Sequence, residues 1–193
     1  NSANLLLGVE VGMQQQTASR SEHFTQKAPF DMVIVSQHII EGFDIYYPEY
    51  YQNKCKNEAY RIYLQNIADM LAIHPFGDVL GHIDYICRKA PYEDTQLRYD
   101  EFAPYIDKIW QTALTNNVVP EINTRRFTNK ENITALAPIY KRYHEMGGRY
   151  ATIGSDAHTI DVIGYKLAEA EQFLKRCGLT PVYFKNHQPV PMS

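Results

Sequence analysis

The sequence predicts an α/β fold made of parallel strand–helix units, and three observations carry that prediction. Short runs of branched apolar residues alternate along the chain with longer stretches whose apolar residues recur at helical spacing. Two of those stretches end at Gly147-Gly148 and at Gly178, the residue type that accepts the left-handed turn at a helix C-terminus. Side chains able to bind a metal gather near the ends of the strand candidates, where strand–helix folds carry their chemistry.

Residues 5–11 (LLLGVEV) and 32–36 (MVIVS) read as the first two buried strands. After residue 53 the pattern changes, and Tyr60, Tyr63, Leu64, Ile67 and Leu71 fall on one helical face that stops at His74-Pro75. Residues 78–84 (DVLGHID) give a third strand. Phe102, Tyr105, Ile106, Ile109 and Ala113 then mark a helix, and residues 118–123 (VVPEIN) a fourth strand weakened by Pro120. Leu136, Ile139, Tyr140 and Tyr143 stripe a further helix expected to begin near Pro138, since proline suits a first turn. Residues 150–154 (YATIG) make a fifth strand. Ile163, Leu167, Ala170, Leu174 and Cys177 stripe a last helix, and residues 182–184 (VYF) read as a closing strand. No linker, repeat or low-complexity stretch divides residues 1–193, which read as one domain.

Composition narrows the function classes. With 19 Lys and Arg against 22 Asp and Glu, a net charge of −3 and no basic block, the surface does not suit a polyanion, so nucleic acid is an unlikely partner and small substrates are favoured. No apolar run approaches the roughly 18 residues that cross a bilayer. Asn1 to Leu7 lacks a charged leader region, so the chain reads as cytoplasmic. Three widely spaced cysteines, Cys55, Cys87 and Cys177, without a CxxC, read as reduced thiols. Fifteen tyrosines exceed what a core needs, because each buried phenol wants a polar partner; some are expected to line a site.

The informative series is Glu10 on the first strand, His38 past the second, His82 near the third, Glu121 and Asn123 on the fourth, and Asp156 and His158 past the fifth. Any one of them reads equally as a hydrogen-bonded structural residue; five strand ends in series point to convergence on one mouth. Histidine and carboxylate without thiolate suit Zn²⁺, Mn²⁺ or Fe²⁺. In GSDAH, Gly154 permits close backbone approach and strand alternation is expected to turn Asp156 and His158 to one side. His23, His74, His144 and His187 fall in polar or helical settings and read as structural.

The motifs GVEVG, SQH, GHID, PEINT and GSDAH, in that order, resemble the successive motifs of the polymerase and histidinol phosphatase superfamily. The tail, with VIG at 162–164, LKRCGL at 174–179 and VYFKNHQPV at 182–190, is most similar to its monofunctional histidinol-phosphate phosphatase branch. The resemblance implies a distorted seven-stranded βα barrel, related to the TIM barrel, with two or three divalent ions (Zn, Mn or Fe). It also implies hydrolysis of L-histidinol phosphate by metal-activated water, in histidine biosynthesis. Carried over by position, Glu10 bridges two ions, His38 and His82 complete the second ion's site, and Asp156 and His158 serve the remaining ions. Arg88, Arg125 and Arg126 are the nearest candidates to hold the phosphate, each read equally as a solvated surface arginine. Tyr46 and Tyr47, in the aromatic segment 43–51, either stack on the imidazole of the substrate or pack against neighbouring helices.

The pattern departs from the superfamily at its start. The HxH expected on the first strand is absent, so the barrel is expected to lack N-terminal strand(s), with a single ion retained and activity reduced. The readings are a truncated or proteolytic piece of a longer enzyme, a short paralogue, or a half-barrel completed by another chain. Exposed strand edges would then favour self-association. Two alternatives stand beside the phosphatase: another phosphoesterase of the superfamily, including a nuclease of nucleotide ends, and a silent structural or interaction fragment.

Overall fold

The computed structural model of the chain describes residues 5–192; residues 1–4, which open the stretch read above for a leader, and residue 193 lie outside the described residues. In chain order the elements are β1 (Gly8–Gly12), α1 (Ala18–Thr25), β2 (Met32–Ser36), the short pair β3 (Ile39–Ile40) and β4 (Phe43–Asp44), α2 (Lys56–Ala72), β5 (Val79–Leu80), α3 (Tyr99–Thr115), β6 (Val119–Asn123), α4 (Lys130–Glu145), β7 (Tyr150–Gly154), α5 (Leu167–Arg176), β8 (Thr180–Lys185) and β9 (Gln188–Pro191). One seven-stranded sheet runs β1-β2-β5-β6-β7-β8-β9. All neighbours are parallel except β8 and β9.

The sheet separates two apolar layers. On one face the helices pack over it, with Tyr60, Leu64, Ile67, Phe102, Ile109, Trp110 and Ile139 buried together. On the other, Val79, Val119, Val182 and Phe184 meet Met32 and Ile34 from a strand four places away, so the sheet is curled around its own interior. The curl is held at its base by the β8–β9 turn. Asn186 N–H donates to the Asp31 carboxylate at 3.0 Å, His187 N–H donates to the Asp31 carbonyl at 2.9 Å, and the His187 Nδ1 lies 2.8 Å from Asp78. Among the described residues β1 and β9 do not pair, and each leaves one edge free.

Most buried tyrosine hydroxyls find carbonyl acceptors, which accounts for much of the tyrosine count. Tyr50 donates to Ala59, Tyr51 to Ile45, Tyr60 to Thr95 and Tyr140 to Glu121. Burial pushes the Tyr50, Tyr60 and Tyr140 phenols well up, so they stay protonated donors.

Several elements differ from the sequence expectation: β1 is Gly8–Gly12 and leaves Leu5, Leu6 and Leu7 exposed, α5 begins at Leu167 and leaves Ile163 exposed before it, and the pair β3–β4 was not foreseen. The third strand is confined to Val79–Leu80, because residues 81–88 turn away into a tight helical turn over Tyr85–Arg88. Helix α4 starts eight residues before Pro138, where Asn129 caps it by accepting the Asn132 N–H at 2.9 Å. Helix α1 carries no apolar stripe to announce it, burying only Thr25. Strand β9 is made of Gln, Pro and Val and owes its form to the turn at Asn186 and His187, both with positive φ, a hairpin geometry.

Candidate active site

Glu10, His38, His82, Arg88, Arg125, Arg126, Asp156 and His158 line a single cleft of about 690 Å³ at the carboxyl side of the sheet, with Tyr46 and Tyr85 beside them. Tyr47 is not among its lining residues; it is 56% exposed, edge-on to Tyr46 at 5.4 Å.

The metal-ligand types closest together are Glu10, His38 and His82, whose donor atoms all lie within 4.8 Å of one another. Glu10 stands in β1 beside Ile34 of β2. His38 follows the end of β2, and His82 follows β5 after Gly81, where a Cβ would collide with the Ser36 hydroxyl. The His82 Nε2 is 3.1 Å from Glu10 Oε1, and the His38 Nε2 is 3.6 Å from the same oxygen. The Tyr85 ring packs on both imidazoles, at 4.7 Å from His38 and 4.9 Å from His82. Nothing in composition singled out Tyr85; its position three residues after His82 became meaningful only with the turn.

The electrostatics suit a cation. The hydrogen bond from His82 holds the Glu10 carboxyl down to about 2, against the opposing effect of burial. Burial and the neighbouring His82 keep the His38 imidazole below its usual range. For His82 burial acts downward, but the hydrogen bond to Glu10 and the charge of Glu121 outweigh it and leave the imidazole raised. A carboxylate with two imidazoles is an accepted set for zinc-type ions. The buried His82 Nδ1 has no hydrogen-bond partner among the described residues.

Glu121 and Asn123, read from sequence as ligand types, stand behind this group. Glu121 Oε2 accepts the His82 main-chain N–H at 3.0 Å and the Asn123 amide at 3.2 Å. A Cβ at Gly154 would run into the Glu121 carboxylate, so the glycine permits the close approach expected of it. Burial raises the Glu121 carboxyl.

Asp156 and His158 come together differently from the alternation expected. Strand β7 ends at Gly154 and Asp156 takes a left-handed φ of 49°, so a turn rather than a strand juxtaposes them. His158 Nδ1 is 2.9 Å from the Asp156 carbonyl. Asp156 faces arginines: Arg88 Nη1 at 2.8 Å and Arg125 Nη1 at 3.5 Å. Arg88 also lies over the Tyr85 ring, and its buried Nε and Nη2 have no partner among the described residues. Arg126 is held otherwise, donating from Nε to Asp84 at 3.2 Å, from Nη1 to the Cys87 carbonyl at 3.3 Å and from Nη2 to Gln96 at 3.0 Å. Lys89, which the sequence reading passed over, places its ammonium 5.1 Å from the Tyr46 ring centre.

A curled parallel sheet whose strand ends carry a carboxylate–imidazole cluster beside an arginine pair defines a class of metal-dependent enzymes acting on anionic substrates. The chain belongs to the PHP family: the PHP domain model matches residues 1–125. It is 40% identical to a probable histidinol-phosphatase of Clostridium acetobutylicum over 95% of this chain and 72% of that protein. It is 29% identical to the histidinol-phosphatase of Lactococcus lactis over 89% of this chain and 64% of that protein. The crystal structure of the histidinol phosphate phosphatase from Lactococcus lactis, complexed with zinc, L-histidinol and phosphate, superposes with a TM-score of 0.85. That match has 26% identity and covers 94% of this chain and 70% of the other. The α/β fold with a parallel sheet expected from sequence is therefore shared with that protein, and among the described residues the sheet is curled but not closed into a barrel. No helix among the described residues is long and apolar enough to cross a membrane.

Proposed function

We propose that this chain carries the phosphomonoesterase site of a histidinol-phosphatase, hydrolysing L-histidinol phosphate to histidinol and phosphate in the cytoplasm. The observation that carries the reading is one cleft lined both by the Glu10, His38 and His82 cluster and by Arg88, whose Nε and Nη2 have no partner among the described residues. Its support is the 0.85 TM-score to a protein whose structure holds zinc, histidinol and phosphate.

Glu10, His38 and His82 would hold one divalent ion, Zn, Mn or Fe. Such an ion supplies acidified water and charge neutralisation at phosphorus. Arg88 and Arg125 orient the phosphoryl group by charge-assisted hydrogen bonds, which fix its face toward the triad. Asp156 holds both arginines until phosphate arrives. For Asp156 and His158 to serve further ions, Asp156 must give up Arg88. Tyr46 offers its ring to the imidazole end of the substrate. In the reaction water adds to phosphorus, the ester P–O bond breaks, and the proton from water ends on the histidinol oxygen. The outer edges of β1 and β9, unpaired among the described residues, favour self-association, which light scattering measures.

The test is phosphate release from L-histidinol phosphate by the purified chain supplied with Zn²⁺ or Mn²⁺, beside a His82→Ala variant. Metal-dependent release that the variant lacks supports the reading. Release equal in both, or none with any metal, overturns it.

A further inference from the structure

We infer that Arg126 is a positioning residue: it clamps the turn at 82–88 so that His82 and Arg88 are held at a fixed separation. The inference deepens the proposed function and rests on its reading of His82 as a metal ligand and Arg88 as a phosphate ligand.

The turn begins at His82 and ends at Arg88, so whatever fixes its shape fixes the spacing between the metal and the anion. Inside it, Tyr85 N–H donates to the His82 carbonyl at 2.9 Å and Cys87 N–H donates to the Asp84 carbonyl at 3.0 Å. Arg126 grips it at two points. Its Nε holds the Asp84 side chain, two residues past His82, and its Nη1 holds the Cys87 carbonyl, one residue before Arg88. Asp84 and Arg126 side chains are 4% and 12% exposed, against 50% for Arg125, so this pair works with little solvent screening.

The clamp is braced from below. Arg126 Nη2 donates to Gln96 Oε1 at 3.0 Å, Gln96 Nε2 donates to Asn132 Oδ1 at 2.8 Å, and Asn132 Nδ2 returns to the Arg126 carbonyl at 3.0 Å. Asn132 lies in the first turn of α4, and Arg126 ends the short helical turn after β6. The 82–88 turn is thereby tied to the β6–α4 connection through the side chains of Arg126, Gln96 and Asn132. With each of its three nitrogens donating to a protein acceptor, Arg126 differs from Arg88, whose Nε and Nη2 have none among the described residues. The two adjacent arginines thus divide the work: Arg125 faces Asp156 and His158, and Arg126 faces the frame.

The test compares Arg126→Gln, Asp84→Asn, their combination and Arg125→Ala with the parent chain. Three readouts are used: hydrogen exchange of residues 82–88 in metal-free protein, zinc affinity by chelator competition, and binding of inorganic phosphate. Arg126→Gln and Asp84→Asn should each raise exchange in 82–88 about tenfold above the rest of the chain. Each should weaken zinc by about tenfold or more, with the combination no worse than either alone. Arg125→Ala should weaken phosphate only. Gln96→Ala, which removes one brace, should raise the same exchange to a smaller degree and serves if the buried-pair variants do not fold.

If Arg126→Gln weakens phosphate as Arg125→Ala does while exchange and zinc stay unchanged, Arg126 is a direct anion ligand and the clamp is wrong. Exchange raised evenly over the whole chain reduces Arg126 to a general structural role and also overturns it. A parent chain that binds no zinc refutes the metal reading instead, and the exchange readout still decides whether the turn is clamped.

Discussion

The His82 Nε2 stands 3.1 Å from Glu10 Oε1, although 72 residues separate them in the chain. Two parallel strands and their crossovers bring a histidine and a carboxylate into ligand distance, and Glu121 then fixes His82 by its main-chain N–H. The protonation of this group governs what it can hold.

Zinc affinity should depend on pH through His82. A metal needs the neutral imidazole, and the His82 pKa is raised above its ordinary 6.5, so protons compete for it more strongly than for a free imidazole. His38 is shifted the other way and Glu10 is held at about 2, so His82 is the first of the three to take up a proton as the pH falls. Affinity should fall by about tenfold per pH unit once below the His82 value, as one-proton competition requires. The metal-free fold has the opposite sign: stability from the raised His82 is present below pH 6.5 and lost as pH rises through the folded value. Chelator competition from pH 8 to 5.5 checks the first statement, and an affinity flat over that range would contradict it.

Removing the Arg88 guanidinium should weaken anions. Hydrogen bonds to charged groups contribute about 1.5–3 kcal/mol, and about 1.4 kcal/mol is tenfold, so Arg88→Met should raise the inhibition constant of inorganic phosphate about tenfold or more. Unchanged inhibition would mean that phosphate is held elsewhere.

Gly154→Ala places a methyl group against the Glu121 carboxylate, which is buried and hydrogen-bonded to His82. The expected cost is about 1–3 kcal/mol of stability together with weaker zinc binding, read by thermal unfolding and chelator competition. A variant as stable and as zinc-avid as the parent would show that β6 and β7 yield without disturbing His82.

Tyr46 lines the cleft and Tyr47 does not. Tyr46→Ala should therefore raise KM for L-histidinol phosphate several-fold more than for p-nitrophenyl phosphate, while Tyr47→Ala moves neither. Equal effects of Tyr46→Ala on both substrates would remove the stacking role.

Much of this site was legible because its signals are local. Glu10, His38 and His82 are each tied to a strand run that reads from apolar pattern, and parallel topology makes strand ends converge whatever the loops do. Gly154 announced a close approach, though its partner, the Glu121 carboxylate, emerges only from the β6–β7 register, which pairs Glu121 with Thr152 and Asn123 with Gly154. The role of Arg126 was hidden for the same reason: next to Arg125 and just after PEINT it looks the same in sequence, and only the turn at 82–88 supplies its acceptors. Asp156 and His158 line one cleft as expected, but by a turn, since the left-handed Asp156 breaks strand alternation past Gly154. Helix α1 and β9 carry no apolar periodicity; α1 buries little, and β9 depends on its turn.

The most direct measurement is the zinc content per chain, by elemental analysis after dialysis against metal-free buffer, for the parent and for His82→Ala. Glu10, His38 and His82 should retain about one ion or more per parent chain, since three protein ligands and water are a sufficient zinc set, and His82→Ala should lose it. A parent chain without zinc, or a variant that retains as much as the parent, would contradict the assignment of this cleft.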